Sequence, residues 1–126
     1  MIVLDTCGVL WLAGEHTRLS AKTLTRLDEE PIVAVSAISA FEISLKWLAR
    51  KLELPVPARE WWDEVVAHHG LEVLPVDAKV AFRATELPPI HRDPADRFII
   101  ATAECHNAPV VTSDERFAEY GIEILR

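Results

Sequence analysis

The chain has 126 residues, half of them hydrophobic and 26% charged, which suits one domain over residues 1–126 with its own core and excludes a disordered chain. Its formal net charge of −7 argues against a passive, charge-driven binder of nucleic acid, though not against an enzyme acting on nucleic acid with metal ions supplying local positive charge. Cys7 and Cys105 form no ligand spacing, and the apolar start is broken by Asp5 with no basic segment before it; a cytoplasmic protein without signal peptide or membrane span is expected.

In chain order, Ile2–Leu4 is a short apolar run that predicts a strand. Ser20–Glu29 predicts a helix with Leu24 and Leu27 on one side. Ile32–Val35 predicts a second strand, and Ala40–Lys51 a helix with Phe41, Leu45, Leu48 and Leu52 at spacings of three and four. A helix over Ala58–His69 follows the Pro55–Pro57 break, then a strand over Leu71–Leu74. Ala78–Leu87 predicts a helix that stops at Pro88-Pro89, and Pro94–His106 a nearly all-apolar helix. Val110–Thr112 and Ile122–Leu125 predict the last strands, with a short helix after Asp114 between them. Strands apolar at every position are buried on both faces, as in a parallel sheet, and prolines and turn residues mark the ends. Strand and helix alternate, so the expected fold is a three-layer α/β/α sandwich around a parallel sheet of about five strands.

On that frame Asp5 closes the first strand, Glu42 and Asp96 fall in the first turns of helices, and Asp114 follows the fourth strand. Open parallel sheets bind ligands at the carboxyl ends of their strands, so the four acids converge there if the topology is doubly wound. Clustered carboxylates raise one another's pKa and call for a cation. Oxygen ligands suit Mg2+ or Mn2+, one or two ions, and such ions activate water for in-line attack on a phosphodiester.

Each acid also has a structural explanation. Ser39 and Glu42 fit a capping box, and Glu42 is spaced to pair with Lys46. Asp93, Pro94 and Asp96 fit an N-cap, a proline at the first helical position and a favourable acid in the first turn. Asp114 can cap the last helix. Only Asp5 lacks a local cap, apart from the short turn after it. Arg97 is read either as a contact to substrate phosphate or as the partner of a carboxylate; Arg92 and His91 either hold RNA or form an ordinary loop. Lys46, Arg50 and Lys51 make the densest basic group, a solvated face or a contact to RNA or a protein partner. His68 and His69 suit the C-terminus of their helix. Trp47, Trp61 and Trp62 belong to the core or an interface.

The segments Val3-Leu4-Asp5-Thr6, Val35–Ile43, His91–Ala101 and Val111–Phe117, in this order and spacing, resemble the PIN-domain family and within it the VapC-type toxin ribonucleases. Each motif alone is weak; the four in order are specific and span essentially the whole chain. The resemblance implies Asp5, Glu42, Asp96 and Asp114 as the metal-binding catalytic acids, with Thr112 and Thr6 in support. It further implies a Mg2+- or Mn2+-dependent endoribonuclease that leaves 5′-phosphate and 3′-hydroxyl ends, is often a homodimer, and is silenced by a cognate antitoxin protein. Cys7 stands where relatives often carry Asn, Ser or His. Two other readings stay open: a PIN-like module that binds RNA or a partner without cutting, and an aspartyl-phosphate phosphatase using Asp5, which would normally want an acid at position 7.

Overall fold

A computed structural model describes residues 1–126. Its elements are β1 (Ile2–Leu4), α1 (Thr6–Gly14), a 3-10 turn (His16–Arg18), α2 (Ala21–Glu29), β2 (Val33–Ser36), α3 (Ala37–Leu48), α4 (Ala58–His69), β3 (Glu72–Leu74), α5 (Ala78–Glu86), α6 (Pro94–His106), β4 (Val110–Val111), a second 3-10 helix (Glu115–Tyr120) and β5 (Ile124–Leu125). The five strands form one parallel sheet in the order β3-β2-β1-β4-β5. This is the expected three-layer architecture.

Alternation along each strand divides the core. Val3, Ala34 and Val110 face one layer with the buried side chains of α5 and α6, whereas Ile2, Leu4, Val35 and Val111 face the other with Val9, Trp11, Ile43, Trp61 and Val65. A strand contributes to both cores only because successive side chains point to opposite faces. Trp61 therefore lies in the core, with Trp62 packed against it. No helix is long and apolar enough to cross a membrane.

Three local expectations need correction. Residues 6–14 form α1, which the periodicity did not indicate: TCGVLWLAG is apolar on nearly every position, so no amphipathic stripe marks it. Second, α3 begins at Ala37, capped by the Ser36 hydroxyl accepting from the Ile38 N–H at 3.2 Å. Glu42 thus sits in the second turn, and the Ser39–Glu42 capping box does not form. Third, α3 ends at Leu48, and Arg50 adopts a positive φ of 59°. By contrast, α6 runs over the expected residues, with Asp93 accepting from the N–H groups of Ala95 and Asp96 at 2.9 and 3.2 Å.

The topology positions the site. From β1 the chain builds outward through β2 to β3, then returns to lay β4 on the other side of β1. The crevice at such a switch point opens at the carboxyl ends of the strands, the usual place for a ligand in an open α/β sheet. There α1 starts so close to β4 that a Cβ on Gly8 would stand 2.8 Å from the Val111 carbonyl oxygen and 3.3 Å from Asp5 Oδ1. Gly8→Ala should therefore destabilise the domain by roughly 1–3 kcal/mol, as overpacking does. Gly14→Ala, with no atom within 4 Å of its added carbon, should be neutral or slightly stabilising. Equal thermal midpoints for the two variants would contradict the close approach.

Candidate metal centre

Asp5 leaves β1 and caps α1, its Oδ1 accepting from the Gly8 N–H at 2.7 Å. The expectation that Asp5 lacks a capping role is thus corrected: once α1 exists, Asp5 is its N-cap. Its side chain is buried, and burial is the main force that pushes its pKa up to about 6, with the charges of Glu42 and Asp114 adding to it. Hydrogen bonds from Thr112 and Gly8 pull the other way.

The other acids surround it. Glu42, on α3, accepts from the Thr6 hydroxyl at 2.5 Å, and that hydroxyl lies 3.0 Å from the Ser39 hydroxyl. Lys46, one turn on, stands 3.9 Å from Glu42 Oε2, as its spacing predicts. Asp96, in the first turn of α6, is pushed up to about 7 by burial, then by the charge of Asp93, with Glu42 and Asp5 adding to the effect. Asp114 follows β4 and caps the second 3-10 helix through the Arg116 N–H at 3.0 Å. Its pKa is held well below the carboxylate range, chiefly by hydrogen bonds from the Arg116 side chain. Thr112 ties two acids together, bonding the Asp5 carboxyl and accepting from the Asp114 N–H at 3.0 Å.

His91 joins this set. It is 1% exposed and packs edge-on to Phe117, with ring centroids 5.8 Å apart. Its Nε2 lies 2.8 Å from Asp114 Oδ2 and 3.1 Å from Asp96 Oδ2. The Asp93 N–H donates to Nδ1 at 3.2 Å, which places the ring proton on Nε2 between the two carboxylates. One donor atom from each of His91, Asp96 and Asp114 falls within a span of 4.8 Å. With its proton there, His91 is a donor bridging two acids rather than a free ligand. His91, read from the sequence as either an RNA contact or an ordinary loop residue, is a buried part of the centre. The only sequence hint was a stiff Pro88-Pro89 segment delivering it to the helix start.

The arginines divide differently from expectation. Arg97 pairs with no carboxylate: it donates to the carbonyls of Ala84, Leu87, Pro88 and His91 at 2.7–3.0 Å. It fastens the 87–91 loop, and hence His91, to α6. Arg92 is exposed, without an ion pair. Arg116, which the sequence did not single out, grips Asp114 with Nε and Nη2 at 3.0 and 2.7 Å. Cys7, in the first turn of α1, keeps a solvent-exposed surface, yet the protein packed around the rest of its side chain, and then the charge of Asp5, push its thiol up. His68 and His69 meet edge to face at the end of α4, outside this cluster.

The residues fit a divalent cation. Oxygen donors dominate, two of the acids are held above their ordinary pKa by burial and neighbouring charge, and such a set suits a hard ion such as Mg2+ or Mn2+.

Fold and centre together define an α/β domain with a carboxylate cluster at the switch point of a parallel sheet. The chain belongs to the PIN domain family, whose sequence profile matches residues 2–123. It is similar to the ribonuclease VapC22 of Mycobacterium tuberculosis, 33% identical over 122 residues that cover 94% of this chain and 91% of the relative. Solved structures share its fold. VapBC2 from Rickettsia felis, bound to a DNA fragment from its promoter, has a TM-score of 0.72 and 20% identity, covering 98% of this chain and 97% of that one. FitAcB from Neisseria gonorrhoeae has a TM-score of 0.66 and 25% identity, covering 100% and 97%.

The two raised acids dictate a pH dependence. Folded Asp5 and Asp96 titrate at about 6 and about 7, against an ordinary 3.8. Across that window the folded state holds more protons than the unfolded chain, so stability falls as pH rises. In chelator the thermal midpoint should drop between pH 5 and pH 7.5, and excess Mn2+ should remove the drop. Asp5→Asn, which keeps the cap, should raise the midpoint at pH 7.5 by roughly 3–6 °C, for on the order of 1–2 kcal/mol. Asp96→Asn should give a smaller gain, because solvent screens that more open group. A midpoint that rises with pH across this range in chelator would contradict the assignment.

Proposed function

We propose that this protein is a divalent-metal-dependent endoribonuclease, the toxin of a toxin–antitoxin pair, with Asp5, Glu42, Asp96 and Asp114 as its site. The observation that carries the reading is the gathering of these carboxylates at the switch point, on side chains fixed from behind. VapC22, a ribonuclease by name, supports the activity, and the toxin–antitoxin complexes among the structural neighbours support the role.

The four acids would hold Mg2+ or Mn2+, which when bound supplies an activated water and neutralises charge on the phosphoryl oxygens. The rest is positioning by the chain itself. Gly8 and Thr112 fix Asp5, Thr6 fixes Glu42, and His91 spans Asp96 and Asp114. Thr6 and Thr112 thereby serve as supporting residues, as second partners do in metal sites. The antitoxin is expected on α3, where Phe41, Leu45 and Leu48 are 61%, 54% and 68% exposed. They lie at helical spacing beside a groove lined by Ala40, Ile43, Ala58 and Trp62. An amphipathic peptide from a partner fits such a stripe.

Purified protein should cut structured RNA in Mg2+ or Mn2+ and fall silent in chelator. Asp5→Asn and Asp96→Asn should each lose at least the roughly 10–100-fold that an outer partner costs a metal site, and Thr112→Val should lose about that amount. Equal cleavage with and without chelator would refute the metal mechanism, and full activity in either Asn variant would remove that acid from the site.

A further inference from the structure

Two exposed cations stand beside the carboxylate cluster, each facing one of its acids. Arg116 holds Asp114 through two nitrogens at 3.0 and 2.7 Å, and Lys46 stands 3.9 Å from Glu42. Their side chains are 55% and 49% exposed, and exposed pairs of this kind add little to stability. Arg116 also lies within reach of the charges of Asp96 and Asp93, and Lys46 within reach of Cys7 in the first turn of α1. The two cations therefore flank the cluster from the β4 side and from α3. A third cation nearby, Arg97, is committed to four backbone carbonyls.

A carboxylate shared between a side-chain cation and a divalent ion serves each less fully than it would serve one alone, so the two compete. A phosphodiester strand entering the cluster from its solvent side can reach both of these exposed side chains. The guanidinium fork matches phosphate oxygens as well as it matches a carboxylate, and the lysine ammonium offers a compact charge on a flexible stem. We propose that Arg116 and Lys46 are the substrate-binding pair: they exchange Asp114 and Glu42 for the phosphates on either side of the scissile one, and they weaken metal binding until RNA draws them away. The inference rests on the ribonuclease reading and deepens it by naming the groups that grip the RNA backbone.

The test uses Arg116→Gln and Lys46→Gln, whose exposed positions leave the fold intact by circular dichroism. Calorimetry with Mn2+ and no RNA should show tighter binding, about 3–10-fold for Arg116→Gln and less for Lys46→Gln, since one competing charge is gone. Anisotropy of a labelled single-stranded RNA in Ca2+ buffer should show affinity weakened about 5–10-fold, with the salt slope shallower by about one per cation removed. In Mg2+ buffer KM should rise by a similar factor while kcat changes little, and Arg116→Lys should restore the salt slope. Weaker Mn2+ binding in Arg116→Gln, or RNA affinity unchanged in both variants, overturns the proposal; an effect in one variant alone removes the other residue from the pair. A wild-type protein that neither binds nor cuts RNA overturns the ribonuclease reading with it, whereas a wild type that cuts while both variants bind RNA equally well overturns this inference alone.

Discussion

Carboxylates gathered in one crevice repel, and most of the local structure around this site can be read as restraint against that repulsion. Burial raises both Asp5 and Asp96, and the charges of Asp93, Glu42 and Asp5 raise Asp96 further, so both hold protons above the ordinary range. Each acid is nevertheless anchored. Asp5 caps α1, Asp114 caps the last 3-10 helix, and Asp96 lies in the first turn of a helix capped by Asp93. Helix N-termini favour negative charge, so the fold lowers the cost of the cluster by seating three of its acids at helix starts.

The restraint extends outward through hydrogen-bonding groups. Thr112 bonds both Asp5 and the backbone of Asp114, and Thr6 bridges α1 to α3 through Glu42 and Ser39. His91 closes the gap between Asp96 and Asp114 and is itself held by the loop that Arg97 secures. The Tyr120 hydroxyl adds to that hold, accepting from the His91 N–H and donating to the Pro88 carbonyl, each at 2.7 Å. The positions of the acids thus depend on contacts from α5, α6, and the segment between β4 and β5.

The inner strands β1 and β4 were legible because buried parallel strands are apolar at every position, whereas β3 at the sheet edge exposes Glu72 and Val73; α6 was legible from its Asp-Pro start. The same uniform hydrophobicity hid α1. In α3 two serines compete as caps, and Ser36 prevails over Ser39, whose side chain faces Thr6 instead; that moved Glu42 by a turn without moving it from the site. Arg97 was misread because it adjoins Asp96 in sequence, yet neighbours on a helix point about 100° apart, so one faces the cluster and the other the 87–91 loop. The contacts of His91 with the acids were not legible because they depend on how separate segments meet. The four acids themselves were placed by topology and family pattern together; capping preference alone would have accounted for most of them.

Helix α3 carries Glu42 and Lys46 on the flank that meets the cluster, and Phe41, Leu45 and Leu48 on the flank open to solvent. Residues 41 and 42, and 45 and 46, are sequence neighbours, so the two flanks keep step along one rigid rod that rises about 5.4 Å per turn. Whatever covers the apolar flank comes to rest within a turn of the acidic one. The apolar outer surface and the edge of the crevice are therefore neighbours along one helix, less than a turn apart.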